Sequence, residues 1–173
     1  WWHLAAVQGN AGAQYFMGIS YCVGEGVDQD DKHAIYWCRL AAEQGYAVAQ
    51  SFLGASYSFG DGVEKDYRQA NYWLRLAAEQ GEASAQYSLG VSYQLGEGVK
   101  QSDKEAIHWL RLAAVQGYVY AQYNLAECYQ LGEGVEQDYE QAIHWYHQAA
   151  KQGYPAAQYC LGLSYLDVEQ DYE

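Results

Sequence analysis

The sequence has few residues of several kinds, and each shortage excludes a class of protein. Its 173 residues include one proline, and nine lysines and arginines stand against 22 aspartates and glutamates. A nucleic-acid-binding protein needs a basic surface to displace counterions from phosphates, so we expect no nucleic-acid partner. No apolar run approaches the roughly 20 residues that span a bilayer, so we expect no membrane insertion. The net charge of −13 is compatible with a basic partner.

Motifs that carry catalytic or metal chemistry are also missing. The four cysteines share no spacing and form no CxxC pair, which favours small apolar core residues over a zinc site. They are Cys22, Cys38, Cys128 and Cys160. His144 and His147 lie one helical turn apart but have no third ligand, which favours a surface role. Because GxSxG, SxxK and P-loop motifs are absent as well, we predict no catalytic residues, no metal site, no cofactor and no enzymatic activity.

What the sequence does contain is one recurring phrase. LAAVQG occupies residues 4–9 and 112–117, and close variants occupy 40–45, 76–81 and 148–153. The final glycine of the phrase recurs every 36 residues, at Gly9, Gly45, Gly81, Gly117 and Gly153. Fixed self-similarity at this period is typical of a solenoid built from helix pairs.

The pattern predicts two helices in each period. In the first helix, alanine, a large apolar residue and tyrosine recur four residues apart, as at Ala85, Leu89 and Tyr93, so they share one buried stripe. A glycine recurs beside that stripe, although glycine inside a helix costs about 1 kcal/mol relative to alanine. We therefore expect close packing of neighbouring helices at this column. Its glycines are Gly18, Gly54, Gly90 and Gly162.

A GEGV or GDGV loop joins the two helices. We expect its first glycine to adopt the left-handed cap of the first helix, and its valine to anchor the loop to the core. A side-chain acceptor follows as the N-cap of the second helix, and Ser102 with Glu105 predicts a capping box. The acceptors are Asp30, Asp66, Ser102 and Asp138.

A tryptophan recurs on the second helix. We expect it to fill the gap between repeats; the alternative is a stacking platform for a ligand. The column contains Trp1, Trp37, Trp73, Trp109 and Trp145.

The consensus AQYxLGxxYxxGEGVxxDxxxAxxWxxxAAxQG resembles Sel1-like repeats, a branch of the tetratricopeptide-type α-solenoids. The resemblance covers residues 1–173 as a single repeat domain. It divides them into a partial repeat 1–9, full repeats 10–45, 46–81, 82–117 and 118–153, and a partial repeat 154–173. It implies an all-α fold, a right-handed superhelical solenoid of antiparallel helix pairs whose first helices line a concave face.

The same resemblance implies a function. It points to a non-enzymatic scaffold or adaptor, of the kind found in bacteria, that binds a protein or peptide partner through the concave face. The chain shows no signal peptide, and a cytoplasmic and a periplasmic or secreted location both stay open. The cysteine pair that a cysteine-rich bacterial subfamily carries in each repeat is missing here, so the sequence does not support a disulfide ladder.

The two ends of the sequence suggest an alternative function. Neither end has an obvious polar capping helix, and solenoids need such caps for solubility. The last unit reads SYLDVEQDYE, without the glycine loop of its predecessors. The alternative is therefore a structural module that self-associates head to tail through residues 1–9 and 160–173.

Columns that vary between repeats are free for recognition. Three variable columns of the first helix form a stripe beside the core stripe, apolar in the early repeats and polar in the later ones. By resemblance it faces the concave groove, where an amide such as Asn124 would hold an extended peptide backbone. For Phe16 and Phe52, packing between neighbouring first helices is the alternative. The candidate binding residues are Phe16, Ile19, Phe52, Ser88, Val91, Tyr120, Asn124 and Glu127.

Acidic residues cluster at the loop edge, for example Asp28, Asp61 and Glu133. Two interpretations of this edge stay open. It is either a set of N-caps with a solvated face, or a docking edge for a basic partner.

Overall fold

The structure of the chain is a computed structural model that describes the backbone of residues 1–170 and the side chains of residues 1–163. The described backbone contains ten α-helices and no strand. Consecutive helices pack against each other along the chain, which confirms the all-α solenoid that the 36-residue period predicts. The helices are α1 (Trp2–Val7), α2 (Ala11–Val23), α3 (Asp31–Glu43), α4 (Ala47–Phe59), α5 (Tyr67–Glu79), α6 (Ala83–Leu95), α7 (Asp103–Val115), α8 (Val119–Leu131), α9 (Tyr139–Lys151) and α10 (Pro155–Gln170).

Each second helix begins at its predicted N-cap. The carboxylate of Asp30 accepts a 3.0 Å hydrogen bond from the backbone N–H of His33, and Oγ of Ser102 accepts one of 3.3 Å from Glu105. The reciprocal half of the predicted capping box is wrong, because the backbone N–H of Ser102 donates to the carbonyl of Tyr93 at 3.0 Å. That bond ties the loop back to the preceding first helix. The remaining caps are Asp66 and Asp138.

The two glycines of each loop have different tasks. The first one is the left-handed C-cap of a first helix, as predicted; Gly60, with a φ of 83°, ends α4 in this way. In the later loops the second one touches the preceding repeat, since a Cβ on Gly98 would lie 2.5 Å from the carbonyl oxygen of Tyr67, whereas one on Gly26 would meet no atom within 4 Å. The loop valines Val63 and Val135 pack against core clusters, which confirms their anchoring role.

The mid-helix glycine marks where the two helices of a repeat come closest. A Cβ on Gly54 would lie 2.5 Å from Cγ of Leu74, and one on Gly90 would lie 2.9 Å from Cγ of Leu110. The prediction of close packing is confirmed at these positions and is wrong at Gly162, where a Cβ would meet no atom within 4 Å. The reason is that the described part of the chain contains no helix after α10 that could face Gly162.

The tryptophan column fills the core at its centre. Trp73 and Trp109 are both buried, and Trp73 packs with Ile35 of the preceding repeat in one core cluster. Trp37 and Trp145 are half-buried. The expected packing is wrong for Trp1, which is fully exposed.

Buried glutamines join adjacent repeats, a feature that the sequence analysis did not anticipate. Nε2 of Gln50 donates to the carbonyl of Ala42 at 3.0 Å, and its Oε1 accepts a 2.7 Å hydrogen bond from Nε2 of Gln80. The bond gives a second donor to the carbonyl of Ala42 in the last turn of α3, which also accepts a 2.9 Å bond from the backbone N–H of Gly45. We call this repeated arrangement the glutamine ladder. Its other buried members are Gln14, Gln86 and Gln122.

Arginines of the second helices add a further bond between repeats. The guanidinium of Arg39 donates to the hydroxyl of Tyr57 in the next repeat at 2.7 Å and lies over its ring. Arg111 makes the same bond to Tyr129 at 2.8 Å. The hydroxyl groups of these tyrosines of the first-helix stripe therefore accept a hydrogen bond from an arginine, while their rings pack on the core.

Candidate protein-interaction surface

The first helices form a continuous row with an unusual charge distribution. Side chains join neighbouring members: Ser51 on α4 lies 2.9 Å from Ser84 on α6, oxygen to oxygen, and Gln94 on α6 donates to the sulfur of Cys128 on α8 at 3.4 Å. Helices α2, α4, α6 and α8 contain no lysine or arginine, and one acidic residue, Glu127. We call the accessible side chains of these helices, of the first turns of α10 and of the residue that precedes each helix the first-helix face.

The early part of the first-helix face is apolar. Phe16 is 49% exposed, and its ring centroid lies 5.2 Å from that of Trp2 and 5.8 Å from that of Tyr15. Ile19 is half-buried. Phe52 packs against the core cluster that contains Trp73. Phe16 therefore offers an accessible ring, whereas Phe52 also has a structural role.

The middle part contains a cleft. Ser88 and Val91 on α6 line it together with Phe59, and its volume is about 360 Å³. Lys65 and Glu97, from the loops on either side, bring one charge of each sign to its edge. The cleft therefore has apolar lining residues and charged residues at its edge. It contains Ser88 and Val91, the two half-buried candidate residues of this repeat.

The late part of the face is a cluster of tyrosines around Tyr120. That side chain is 46% exposed, and its ring centroid lies 6.0 Å from Tyr87, 5.7 Å from Tyr118 and 5.6 Å from Tyr154. Burial raises the pKa of the Tyr87 hydroxyl, and a hydrogen bond with the side chain of Asn124 opposes that rise. The amide of Asn124 thus lies near Tyr87, whose ring centroid is 6.0 Å from that of Tyr120.

Glu127 has a partner on its own helix. Its Oε1 accepts a 2.8 Å hydrogen bond from the hydroxyl of Tyr123. The pKa of Tyr123 is raised, first by burial and then by that carboxylate, which favours the protonated, donating hydroxyl. The three late candidates Tyr120, Asn124 and Glu127 therefore lie in one polar, aromatic patch.

Tyrosines that lie 31 residues apart in sequence contact each other across the repeat interfaces. The variable columns of the first helix do not predict these contacts. Their ring centroids are 5.5 Å apart for Tyr15 and Tyr46, 5.3 Å for Tyr87 and Tyr118, and 5.1 Å for Tyr123 and Tyr154. We call these three pairs the tyrosine row. Two sequence columns contain the signal: Tyr15, Ser51, Tyr87, Tyr123 and Tyr159 follow the Ala-Gln pair, and Asn10, Tyr46, Glu82, Tyr118 and Tyr154 precede the first helices.

Chemistry other than binding finds little support in the described residues. No group of three histidine, cysteine or acidic side chains among them could hold a metal ion. His144 and His147 are exposed, in line with their predicted surface role. Between residues 1 and 170, no helix is long and apolar enough to cross a membrane.

The cysteines differ in burial. Cys38 and Cys128 are core residues as predicted, and burial raises the pKa of their thiols to about 12 and about 11, which disfavours the nucleophilic thiolate. The core prediction is wrong for Cys22 and Cys160, which are half-buried.

The loop edge and the chain ends keep part of their predicted roles. Asp30, Asp66 and Asp138 serve as N-caps, which accounts for three of the acidic residues at that edge. Docking of a basic partner there stays a prediction.

At the N-terminal end, α1 exposes the apolar side chains of Trp2 and Leu4. Self-association through residues 1–9 and 160–173 also stays a prediction, and the side chains of residues 164–173 lie outside the described part of the chain.

Comparison with known proteins agrees with this architecture. The Sel1 repeat family matches residues 11–46, 47–82, 83–118 and 119–154. These boundaries are shifted by one residue from those that the glycine period predicts. A search of curated proteins finds no match.

Solved structures include close structural relatives. The chain is 40% identical to a protective antigen of uropathogenic Escherichia coli strains that displays an SLR fold, with a TM-score of 0.90 over 94% of this chain and 35% of that protein. It is 37% identical to a Sel1 repeat protein from Oxalobacter formigenes, with a TM-score of 0.87 over 93% of this chain and 64% of that one. The chain is 22% identical to cysteine-rich protein B of Helicobacter pylori, with a TM-score of 0.62 over 80% of this chain and 99% of that protein. This similarity shows the fold alone.

The chain thus spans about a third of the E. coli protein and under two thirds of the Oxalobacter protein. Sel1-repeat solenoids generally serve as non-catalytic scaffolds for protein–protein interactions. The Sel1 repeat model matches four consecutive segments that cover most of the sequence, and two solved relatives are more than one third identical to it. The chain therefore belongs to the Sel1 repeat family.

Proposed function

We propose that this chain is a non-enzymatic adaptor module that binds an extended segment of a protein partner along the first-helix face. The observation that carries the proposal is the set of accessible aromatic rings on that face. Phe16 and Tyr120 are each about half exposed, and Tyr120 packs against three members of the tyrosine row, Tyr87, Tyr118 and Tyr154. Tyrosine and phenylalanine are enriched in protein interfaces because they offer large, rigid contact areas at a low cost in conformational entropy.

The polar groups of the face support a peptide ligand. A peptide backbone needs hydrogen-bond donors and acceptors at fixed places, and the amide of Asn124 is positioned by its bond with Tyr87. Apolar side chains of the ligand would pack on Phe16 and in the cleft of Ser88 and Val91. By family resemblance, the first helices line the concave side of the superhelix, where an extended segment contacts several repeats at once.

The test is a binding measurement on purified protein with peptides selected from a displayed library of random nine-residue peptides. We expect the triple variant Phe16→Ala, Tyr120→Ala, Asn124→Ala to bind the selected peptides at least about tenfold more weakly, since aromatic anchors carry most of an interface's binding energy. Phe52 is left unchanged because it packs on the core.

The matched control replaces three exposed tyrosines of the second helices, namely Tyr36, Tyr72 and Tyr139. We expect its affinity to equal that of the unaltered protein, and circular dichroism to show the same helix content for all three proteins. Peptides that bind the triple variant as tightly as the unaltered protein would contradict the proposal, as would an equal loss in the control.

A further inference from the structure

The tyrosine row is interrupted once, at the interface between the second and third repeats. Where the other interfaces place two tyrosines, this one places Ser51 and Glu82. The hydroxyl of Ser84 lies 2.7 Å from Oε1 of Glu82 and donates to it. The hydroxyl of Ser51, 2.9 Å from that of Ser84, then donates in turn. A carboxylate therefore takes the place of an aromatic ring, and two serines hold it.

This carboxylate has no cation beside it. Among the described residues, the one ion pair joins His33 and Asp30. Glu82 precedes α6, and its side chain makes no capping hydrogen bond to that helix. Since α4, α6 and α8 carry no lysine or arginine, their surface supplies no counter-charge. The half-buried carboxylate thus keeps hydrogen-bonding capacity for a ligand.

Aromatic rings lie within electrostatic reach on both sides of the carboxylate. Burial raises the pKa of both Tyr15 and Tyr118, and the negative charge of Glu82 contributes to the rise at each. The residues that correspond to Glu82 in the adjacent repeats are Tyr46 and Tyr118. A carboxylate near tyrosine side chains is an environment that suits a guanidinium or ammonium group, because the carboxylate pairs with the charge and tyrosine rings accept cation–π contacts.

We propose that Glu82 and the tyrosines on either side of it form a recognition subsite for an arginine or lysine side chain of the bound protein segment. The subsite rests on the proposed adaptor function, and it names the chemistry of the partner: an extended segment with a basic residue at the centre and apolar residues toward Phe16. Charge complementarity argues for this occupant, because helices α2, α4, α6 and α8 contain no lysine or arginine, and Lys65, at the edge of the face, lines the cleft of Ser88 and Val91 instead.

The test uses the same library of displayed nine-residue peptides, selected in parallel on three proteins: the unaltered chain, Glu82→Gln and Glu82→Lys. Peptides selected on the unaltered chain should be enriched in arginine or lysine at one position. Glu82→Gln should bind those peptides roughly tenfold more weakly, as expected for the loss of a charge-assisted hydrogen bond. Glu82→Lys should select aspartate or glutamate at that same position.

The matched control is Glu79→Gln, which removes an exposed carboxylate at the end of the second helix α5, outside the first-helix face. It should keep the preference for a basic residue. If peptides depend on Phe16, Tyr120 and Asn124 but show no basic preference, or keep it in Glu82→Gln, the subsite is overturned and the adaptor function stands. If no selected peptide depends on the face, both proposals are overturned.

Discussion

Nε2 of Gln80 lies 2.7 Å from Oε1 of Gln50, and Gln50 in turn donates to the carbonyl of Ala42 in the preceding repeat. The glutamine of the recurrent LAAxQG phrase thus bonds the glutamine of the AQY phrase, 30 residues earlier in the chain. Both partners recur every 36 residues, so the bond between them recurs within each full repeat, and the bond to the alanine carbonyl joins that repeat to the preceding one. The glutamine ladder explains why two polar residues recur in the otherwise apolar stretches of each repeat: they form hydrogen bonds with each other and with the backbone.

Replacement of Gln50 by alanine should destabilise the protein. The change removes two hydrogen bonds, each of which contributes about 0.5–1.5 kcal/mol. The carbonyl of Ala42 keeps its bond from the backbone N–H of Gly45, and Nε2 of Gln80 keeps its bond to the carbonyl of Leu76. Urea unfolding followed by circular dichroism measures the change. The control is Gln158→Ala in the same column: Gln158 is exposed and makes one 3.3 Å bond, so we expect a smaller loss. Equal losses at both positions would contradict the ladder.

Alanine at two glycines of one column should have opposite effects. At Gly54, the new Cβ would lie 2.5 Å from Cγ of Leu74, and overpacking of this kind costs about 1–3 kcal/mol. At Gly162, no atom lies within 4 Å of the new Cβ, so the better helix propensity of alanine should stabilise the protein by about 0.5–1 kcal/mol. Thermal unfolding of the two variants measures both changes in stability. A stabilised Gly54→Ala variant would show that the helices do not approach closely at that position.

Trp73→Ala should be among the most destabilising single substitutions. The side chain is 7% exposed and packs with Ile35 across the repeat interface, so its removal leaves a cavity that costs about 3–5 kcal/mol. Leu131→Ala, at an exposed position, serves as the control and should change the free energy of unfolding by less than about 0.5 kcal/mol. If Trp73 were a ligand platform, its removal would spare stability and abolish binding.

Stability should fall at alkaline pH, partly through Cys38. Burial raises the pKa of its thiol from 9.0 to about 12 in the folded protein. The folded state therefore keeps its proton where the unfolded state loses it, and the free energy of unfolding declines as the pH rises from about 9 toward 12. Urea titrations across that range should show a shallower decline for Cys38→Ala. Raised tyrosine pKa values act in the same direction, so an unchanged slope in that variant would remove Cys38 as a contributor.

The candidate surface was only partly predictable. The variable columns identified Phe16, Tyr120 and Asn124, whose side chains the structure places on one row of helices. They did not identify Glu82, Tyr118 or Tyr154, because these precede the first helices and lie outside the helical stripe that the columns trace. Their neighbours come from the adjacent repeat, so the pairing depends on how one repeat is placed on the next.

The sequence by itself determined the repeat length, the all-helical fold, the N-caps such as Asp66 and the left-handed glycines such as Gly60, because each depends on residues within one turn or one loop. Only the tertiary structure decided which residues distant in sequence meet, among them the paired glutamines of the ladder within each repeat, and the tyrosine row and the contact of Gly98 with Tyr67 across repeat interfaces. These contacts join residues about 30 positions apart, and they exist only once the rotation and rise between successive helix pairs are set by core packing. The same dependence explains Gly162, whose column predicts close packing that needs a facing helix.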